Sequence, residues 1–77
     1  MSESLEPFVG YADGASCSTQ NLSYAAWAIF APNDKLVSFQ GICIGWSTNN
    51  IAEYSALIEL LSDAISFGIN CIIIMLD

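Results

Sequence analysis

One amphipathic segment, residues 50–67, constrains the fold most, because it carries the clearest helical periodicity in the chain. At ~100° per residue, one helix face collects apolar side chains: Leu57, Leu60, Leu61, Ala64 and Phe67. The opposite face collects polar side chains: Ser55, Glu59, Ser62, Asp63 and Ser66. Glu53 falls among the leucines, where an acid is unexpected. We expect Thr48, Asn49 or Asn50 to cap this helix and Gly68 to end it.

Extended apolar runs on both sides of the helix predict four strands. The first covers residues 7–12 and ends at the turn-type sequence Asp13-Gly14-Ala15-Ser16. Residues 24–30 and 35–46 predict an antiparallel hairpin around Pro32-Asn33-Asp34. Residues 69–76 are rich in isoleucine, as buried parallel strands are. Because a helix separates this strand from the others, a right-handed crossover is expected to make it parallel to another strand. The predicted fold class is α/β, with a mixed sheet and one covering helix.

The chain of 77 residues is 55% apolar, which predicts one small domain with a thin core. We expect residues 1–6 to form a disordered acidic tail. The sequence stops at Asp77, directly after an apolar strand, and we interpret this as a truncated domain. No repeat or linker is evident.

Cysteine usage and the lack of a secretion or membrane signal predict an intracellular protein, in the cytoplasm or the nucleus. Cys17, Cys43 and Cys71 are an odd number without a C-x-x-C pair, and the last two lie inside apolar runs. This pattern predicts reduced, buried thiols rather than a disulfide framework or a zinc site. The N-terminus lacks a signal peptide, and the apolar run at residues 71–76 is too short to span a bilayer.

The charge balance argues against nucleic-acid binding by this stretch alone. Eight Asp and Glu stand against Lys35, with no Arg or His, and the formal net charge is −7. Proteins that grip nucleic acid neutralise phosphates with Lys and Arg. A nucleic-acid role would therefore need metal ions or further protein.

Three acids are candidate functional residues, and each also has a structural explanation. Asp13 could belong to a turn, Glu53 could form a capping box with Asn50, and Asp77 could be a solvated terminal residue. Taken together, Asp13 and Asp77 are expected at carboxyl ends of strands, where ligands of open α/β sheets gather, and Glu53 is expected to point inward from the helix. Lys35 alone cannot neutralise three converging carboxylates, whereas Mg²⁺ or Mn²⁺ could. Glu59 and Asp63 are expected to be solvated.

Three blocks of sequence resemble the type 1 ribonuclease H domain, in the form found in plant retroelement (retrotransposon) polyproteins and related reverse-transcriptase-like proteins. They are Tyr11-Ala12-Asp13-Gly14-Ala15-Ser16, Thr48-Asn49-Asn50-Ile51-Ala52-Glu53-Tyr54-Ser55-Ala56-Leu57 and Ile74-Met75-Leu76-Asp77. The middle block is the most specific, and the order and spacing of the three strengthen the match. The resemblance covers nearly the whole chain.

The resemblance implies a mixed sheet of order 3-2-1-4 and a nuclease that cleaves the RNA strand of RNA–DNA hybrids with two magnesium ions. By position, Asp13, Glu53 and Asp77 would be the catalytic metal ligands. Gly14, Ala15, Ser16, Asn49 and Asn50 would contact the hybrid. The family continues with a fifth strand and further helices that supply a fourth acid and a basic substrate surface. The chain has none of these, so we expect it to be inactive by itself.

Two alternatives from other classes stay open. The chain could be a non-catalytic module that associates with itself or with a partner by pairing strand four, which would be an uncovered edge. It could also bind a metal without nuclease chemistry.

Overall fold

The structure is a computed structural model that describes residues 6–17, 22–45 and 49–76. In this part of the chain the elements are β1 (Phe8–Cys17), β2 (Leu22–Phe30), β3 (Leu36–Gly45), α1 (Asn49–Ser66) and β4 (Ile72–Leu76). The sheet has the order β3-β2-β1-β4. β1, β2 and β3 pair antiparallel, and β4 lies parallel to β1. The predicted α/β class, strand order and parallel pairing of the last strand are confirmed.

The predicted end of the first strand is wrong. β1 continues through Asp13 and Gly14 as far as Cys17. The reason is cross-strand pairing, because Asp13 lies opposite Ala26 and Gly14 opposite Ala25 in an unbroken antiparallel ladder. Pairing with β2 therefore overrides the local turn preference of the Asp-Gly dipeptide. β4 is also shorter than predicted and begins at Ile72. Trp46, the predicted end of the third strand, lies outside the described residues.

The turn between β2 and β3 confirms the hairpin. The Asp34 N–H donates to the Ala31 carbonyl at 2.8 Å, and the Ala31 N–H donates to the Lys35 carbonyl at 2.8 Å. Asp34 has a φ of 68°, a left-handed conformation that Asp tolerates better than most residues. Asn33 Oδ1 accepts a hydrogen bond from the Lys35 N–H at 3.2 Å.

Gly68 ends the helix, as predicted. Its φ of 73° turns the chain, its N–H donates to the Ile65 carbonyl, and the Ile69 N–H donates to the Ala64 carbonyl, each at 3.0 Å. These two bonds form a Schellman motif, which satisfies carbonyl groups that the helix leaves open at its end. Ile69 packs against the core and so anchors the chain on its way to β4.

The core lies between α1 and one face of the sheet, and small residues form much of it. The buried side chains on the helix recur every four residues: Ala52, Ala56, Leu60 and Ala64. On the sheet, the core includes Ala12, Ala25, Trp27 and Ile29. The predicted face is therefore only partly right, since Leu61 is 39% exposed and Phe67 is 52% exposed. Alanines let the helix approach the sheet closely. The prediction missed them because alanine is only weakly hydrophobic and adds little to a hydrophobic periodicity.

A second apolar surface lies on the helix side away from the sheet. We call it the outer helix surface, and its exposed members are Ile51, Tyr54, Ile58, Leu61 and Ile65. These positions recur at alternating intervals of three and four residues, the spacing of a seam that packs against another helix. In the described part of the chain nothing covers this surface.

The prediction of buried cysteines is wrong for the two thiols that the structure describes. Cys43 and Cys71 are free and exposed. Cys43 lies on the edge strand β3, and Cys71 precedes β4 by one residue, so neither position is inside the core.

No helix of the described residues is long and apolar enough to cross a membrane.

Candidate metal site

Asp13 directly follows the described pairing between β1 and β4. The parallel register runs from Phe8 opposite Ile72 to Ala12 opposite Leu76. Asp13 is the next residue of β1, and its side chain is exposed. The prediction that Asp13 stands at the carboxyl end of a strand is therefore corrected: it lies inside β1, which continues to Cys17. Asp77, which follows Leu76 in the sequence, lies outside the described residues.

Glu53 is exposed, although its position on the helical wheel lies between those of the buried residues Leu60 and Ala64. The residue lies on the sheet side of α1 near its first turn, and its exposed side chain avoids the cost of a buried charge. Glu53 therefore belongs to the apolar face of the helical wheel without being buried there. The predicted capping box is wrong, because α1 begins at Asn49 and Asn50 lies within the helix. Glu53 is then too far along the helix to be the third helical residue after the cap.

Gly14 brings the Asp13 and Glu53 segments together. A Cβ built on Gly14 would lie 2.4 Å from the Ala52 carbonyl carbon, 2.4 Å from the Glu53 backbone nitrogen and 2.8 Å from Ala52 Cβ. The strand therefore touches the helix backbone beside Glu53, and Asp13 is the adjacent residue of that strand. Of the three predicted ligands, the structure places two on segments in direct contact.

Neither carboxylate has a protein partner among the described residues. The side chains of Asp13 and Glu53 make no hydrogen bond or ion pair there. Lys35 lies in the β2–β3 turn, beyond Phe30, which pairs with Val9 near the opposite end of β1. Two exposed, unneutralised oxygen donors fit a hard divalent cation such as Mg²⁺. The described residues contain no group of three metal-binding side chains. Asp77, the third predicted ligand, is not among the described residues.

The predicted substrate-contacting residues lie around the same place. Gly14 is half-buried against the helix and Ala15 is exposed. Ser16 is in β1, and Asn49 and Asn50 are in the first turn of α1; the orientation of these three side chains is outside the described structure. Their role stays a prediction.

The sheet face opposite α1 carries a shallow cavity of about 540 Å³ beside Asp13. Its lining is mostly apolar and includes Tyr11, Ala26, Ala28, Phe39 and Met75. Tyr11 also makes an edge-on contact with Phe30 on this face, with ring centroids 5.8 Å apart. Because side chains alternate along β1, Asp13 shares this face with Tyr11, whereas Gly14 faces the helix.

Asp63 is the residue that sequence reasoning misplaced most clearly. It was expected to be solvated, but its Oδ2 accepts hydrogen bonds from Trp27 Nε1 at 2.8 Å and from Ser38 Oγ at 2.9 Å. Trp27 and Ser38 are buried on the sheet. The carboxylate therefore joins α1 to β2 and β3. No local sequence pattern predicts these two hydrogen bonds, because Trp27 and Ser38 lie 36 and 25 residues away from Asp63.

Comparisons with known proteins agree with this architecture. The family model described as "Reverse transcriptase-like" matches residues 11–77. The chain belongs to this family of ribonuclease H-like domains. It is 40% identical over 58 residues to ribonuclease HI of Halobacterium salinarum, covering 75% of this chain and 29% of that protein.

Solved ribonuclease H structures share the fold. The crystal structure of RNase H1 from Halobacterium salinarum superposes with a TM-score of 0.85 at 35% identity, covering 92% of this chain and 54% of that one. The structure of LC11-RNase H1 in complex with an RNA/DNA hybrid gives a TM-score of 0.81 at 26% identity, covering 90% of this chain and 53% of that one. The chain spans about half the length of these solved relatives and under a third of the curated relative.

Proposed function

We propose that this chain is the N-terminal half of a ribonuclease H-like domain in which Asp13, Glu53 and Asp77 hold divalent cations. In the complete domain, this site would cleave the RNA strand of RNA–DNA hybrids. The observation that carries the proposal is the contact of Gly14 with the helix backbone at Glu53, which sets two carboxylates on adjoining segments, neither with a side-chain partner among residues 6–17, 22–45 and 49–76. The solved relative bound to an RNA/DNA hybrid supports the substrate class.

Each acid would reach the site from a different element. Asp13 would offer its oxygens from the stretch of β1 beyond the β4 pairing, and Glu53 from the sheet side of α1. Asp77 follows directly after β4 in the sequence, and extending the parallel register by one residue would set it opposite Asp13. Bound Mg²⁺ supplies Lewis-acid activation of water and stabilises charge on the leaving oxygen.

The other proposed contacts would hold the hybrid. Backbone groups of Gly14 to Ser16 and the amides of Asn49 and Asn50 could bind riboses and phosphates. Hybrid recognition through the minor groove and 2′-hydroxyls would make cleavage largely independent of sequence.

The chain by itself is expected to be inactive. Its net charge of −7 repels the phosphate backbone, and about half of the solved relatives' length has no counterpart here. Incubation with a labelled RNA–DNA hybrid and Mg²⁺ should leave the RNA intact. Cleavage that Asp13→Asn abolishes would contradict this expectation and would show that the 77 residues suffice.

Titration with Mg²⁺ or Mn²⁺, followed by thermal melting, tests the metal site directly. At a cation concentration about tenfold above Kd, binding adds about 1.4 kcal/mol to stability, which raises Tm by roughly 6–11 °C for a domain of this size. Asp13→Asn and Glu53→Gln should each reduce this rise, because each removes a charged ligand.

Glu59→Gln is the matched control, since Glu59 is an exposed glutamate of the same helix outside the proposed site. It should leave the cation-dependent rise in Tm unchanged. NaCl at equal ionic strength separates specific binding from charge screening. Equal effects of Glu53→Gln and Glu59→Gln would mean that the cation acts only on the general negative charge.

The exposed edge of β4 supports a second candidate, in which the chain is a non-catalytic module that associates by strand pairing. Within the described part of the chain β4 pairs only with β1, and Ile73, Met75 and Leu76 are exposed. Uncovered apolar edge strands are templates for pairing with another chain.

Sedimentation of three proteins at micromolar concentration tests this candidate. Ile73→Lys places a charge on the edge strand, whereas Ile58→Lys places the same charge on the outer helix surface. Strand pairing predicts that the wild-type chain and Ile58→Lys associate and that Ile73→Lys is a monomer. A folded, monodisperse wild-type monomer would eliminate the candidate.

A further inference from the structure

Two glycines of β1 face the helix and meet it in different ways. A Cβ on Gly14 would overlap backbone atoms, the Ala52 carbonyl carbon and the Glu53 nitrogen, both at 2.4 Å. A Cβ on Gly10 would instead meet Leu60 Cδ1 and Cδ2 at 2.9 Å. A leucine side chain can rotate or shift at its tip, but helix backbone cannot move without carrying its neighbours. The same Gly→Ala substitution therefore meets rigid helix backbone at position 14 and a movable side chain at position 10.

Any side chain at Gly14 must displace the start of α1. Real Cβ atoms essentially never approach other atoms closer than 3.0 Å, so the helix backbone beside Glu53 would have to move outward by at least 0.6 Å, from 2.4 to 3.0 Å. A metal or catalytic site tolerates errors of only about 0.5 Å in the placement of its ligands. The displacement is therefore large enough to spoil a shared cation site even if the fold survives.

We propose that Gly14 is a positioning residue that fixes the separation between the backbone segments that carry the Asp13 and Glu53 carboxylates. It is covalently next to Asp13 and in contact with the backbone of Glu53, so one contact fixes the spacing of the two backbones from which these carboxylates extend. Gly10, four residues before Gly14 in β1, contacts the Leu60 side chain. That contact contributes to packing but not to the spacing of the ligands. This inference rests on the proposed metal site.

The test compares the wild-type chain, Gly14→Ala, Gly10→Ala and Asp13→Asn. Binding of Mn²⁺ is measured from the electron paramagnetic resonance signal of the free ion, and folding is measured by circular dichroism. Gly14→Ala should keep its helical signal and weaken Mn²⁺ binding at least tenfold, close to the loss in Asp13→Asn. Gly10→Ala should bind Mn²⁺ within about twofold of wild type, even if its Tm falls.

Amide hydrogen exchange provides a readout that needs no metal. In Gly14→Ala, the amides of residues 51–54 should exchange faster than in wild type, while those of residues 60–66 stay protected. Gly10→Ala should not show this local change. If Gly14→Ala fails to fold, the double variant with Ala52→Gly replaces it, because it removes the methyl group at 2.8 Å and the wider backbone freedom of glycine lets the peptide before Glu53 move away from the new side chain.

The outcomes separate the two proposals. Wild-type Mn²⁺ affinity in a folded Gly14→Ala chain, or equal exchange in both glycine variants, would overturn the positioning role and leave the metal site standing. Absence of Mn²⁺ binding in the wild-type chain, or full binding by Asp13→Asn, would overturn the metal site and with it the positioning role.

Discussion

At the scale of single residues, Asp63 shows how a carboxylate can hold a helix to a sheet without an ion pair. Its Oδ2 accepts from both the Trp27 indole and the Ser38 hydroxyl, and Trp27 is only 4% exposed. A buried donor that loses its acceptor costs about 1–3 kcal/mol. Asp63 therefore keeps two donors satisfied at the centre of a thin core.

Replacement of Asp63 by Ala should lower the free energy of unfolding by about 2–3 kcal/mol, because it leaves the Trp27 indole N–H and the Ser38 hydroxyl without their acceptor. Asp63→Asn should cost less, since its amide oxygen can still accept. Urea denaturation followed by Trp fluorescence measures both values. Glu59→Ala, one turn earlier and exposed, is the control and should change stability by less than about 0.5 kcal/mol. Equal losses in the Asp63 and Glu59 variants would show that the bonds to Trp27 and Ser38 contribute nothing net.

At the scale of secondary structure, α1 is apolar on two sides. Ala52, Ala56, Leu60 and Ala64 pack on the sheet, whereas the outer helix surface reaches 63% exposure at Ile58 and 77% at Ile65. A helix that is apolar nearly all round is typically covered on both sides. The large side chain of Leu61 thus drew the predicted face away from the sheet, whereas Phe67 is exposed because it lies just beyond the end of α1. Small side chains at 52 and 56 form the face that packs on the sheet.

At the scale of the whole molecule, net charge opposes compactness. Eight acidic residues and one lysine give −7 over 77 residues, and such self-repulsion destabilises a folded chain. The same charge would hold nucleic acid away unless cations or basic protein intervene.

Raising NaCl from about 0.05 M to about 0.5 M should therefore increase Tm by several degrees, because screening shortens the reach of the repulsion. Thermal melting by circular dichroism measures the shift. Glu59→Lys changes the net charge from −7 to −5 and should show a smaller increase. A Tm that falls with salt, or an equal shift in both proteins, would mean that long-range repulsion is not the dominant electrostatic effect.

The sequence by itself determined the α/β class, the four strands and one helix, the hairpin at Pro32 to Asp34 and the helix stop at Gly68. These features follow from local periodicity and turn chemistry, which act over a few residues. The three sequence blocks also pointed to the family. Only the tertiary structure decided that β1 runs through Asp13, that alanines form the helix interface, that Asp63 bonds to Trp27, and that Gly14 touches the helix at Glu53. Those contacts join residues that are distant in sequence, and their energies depend on approach distances that no local pattern contains.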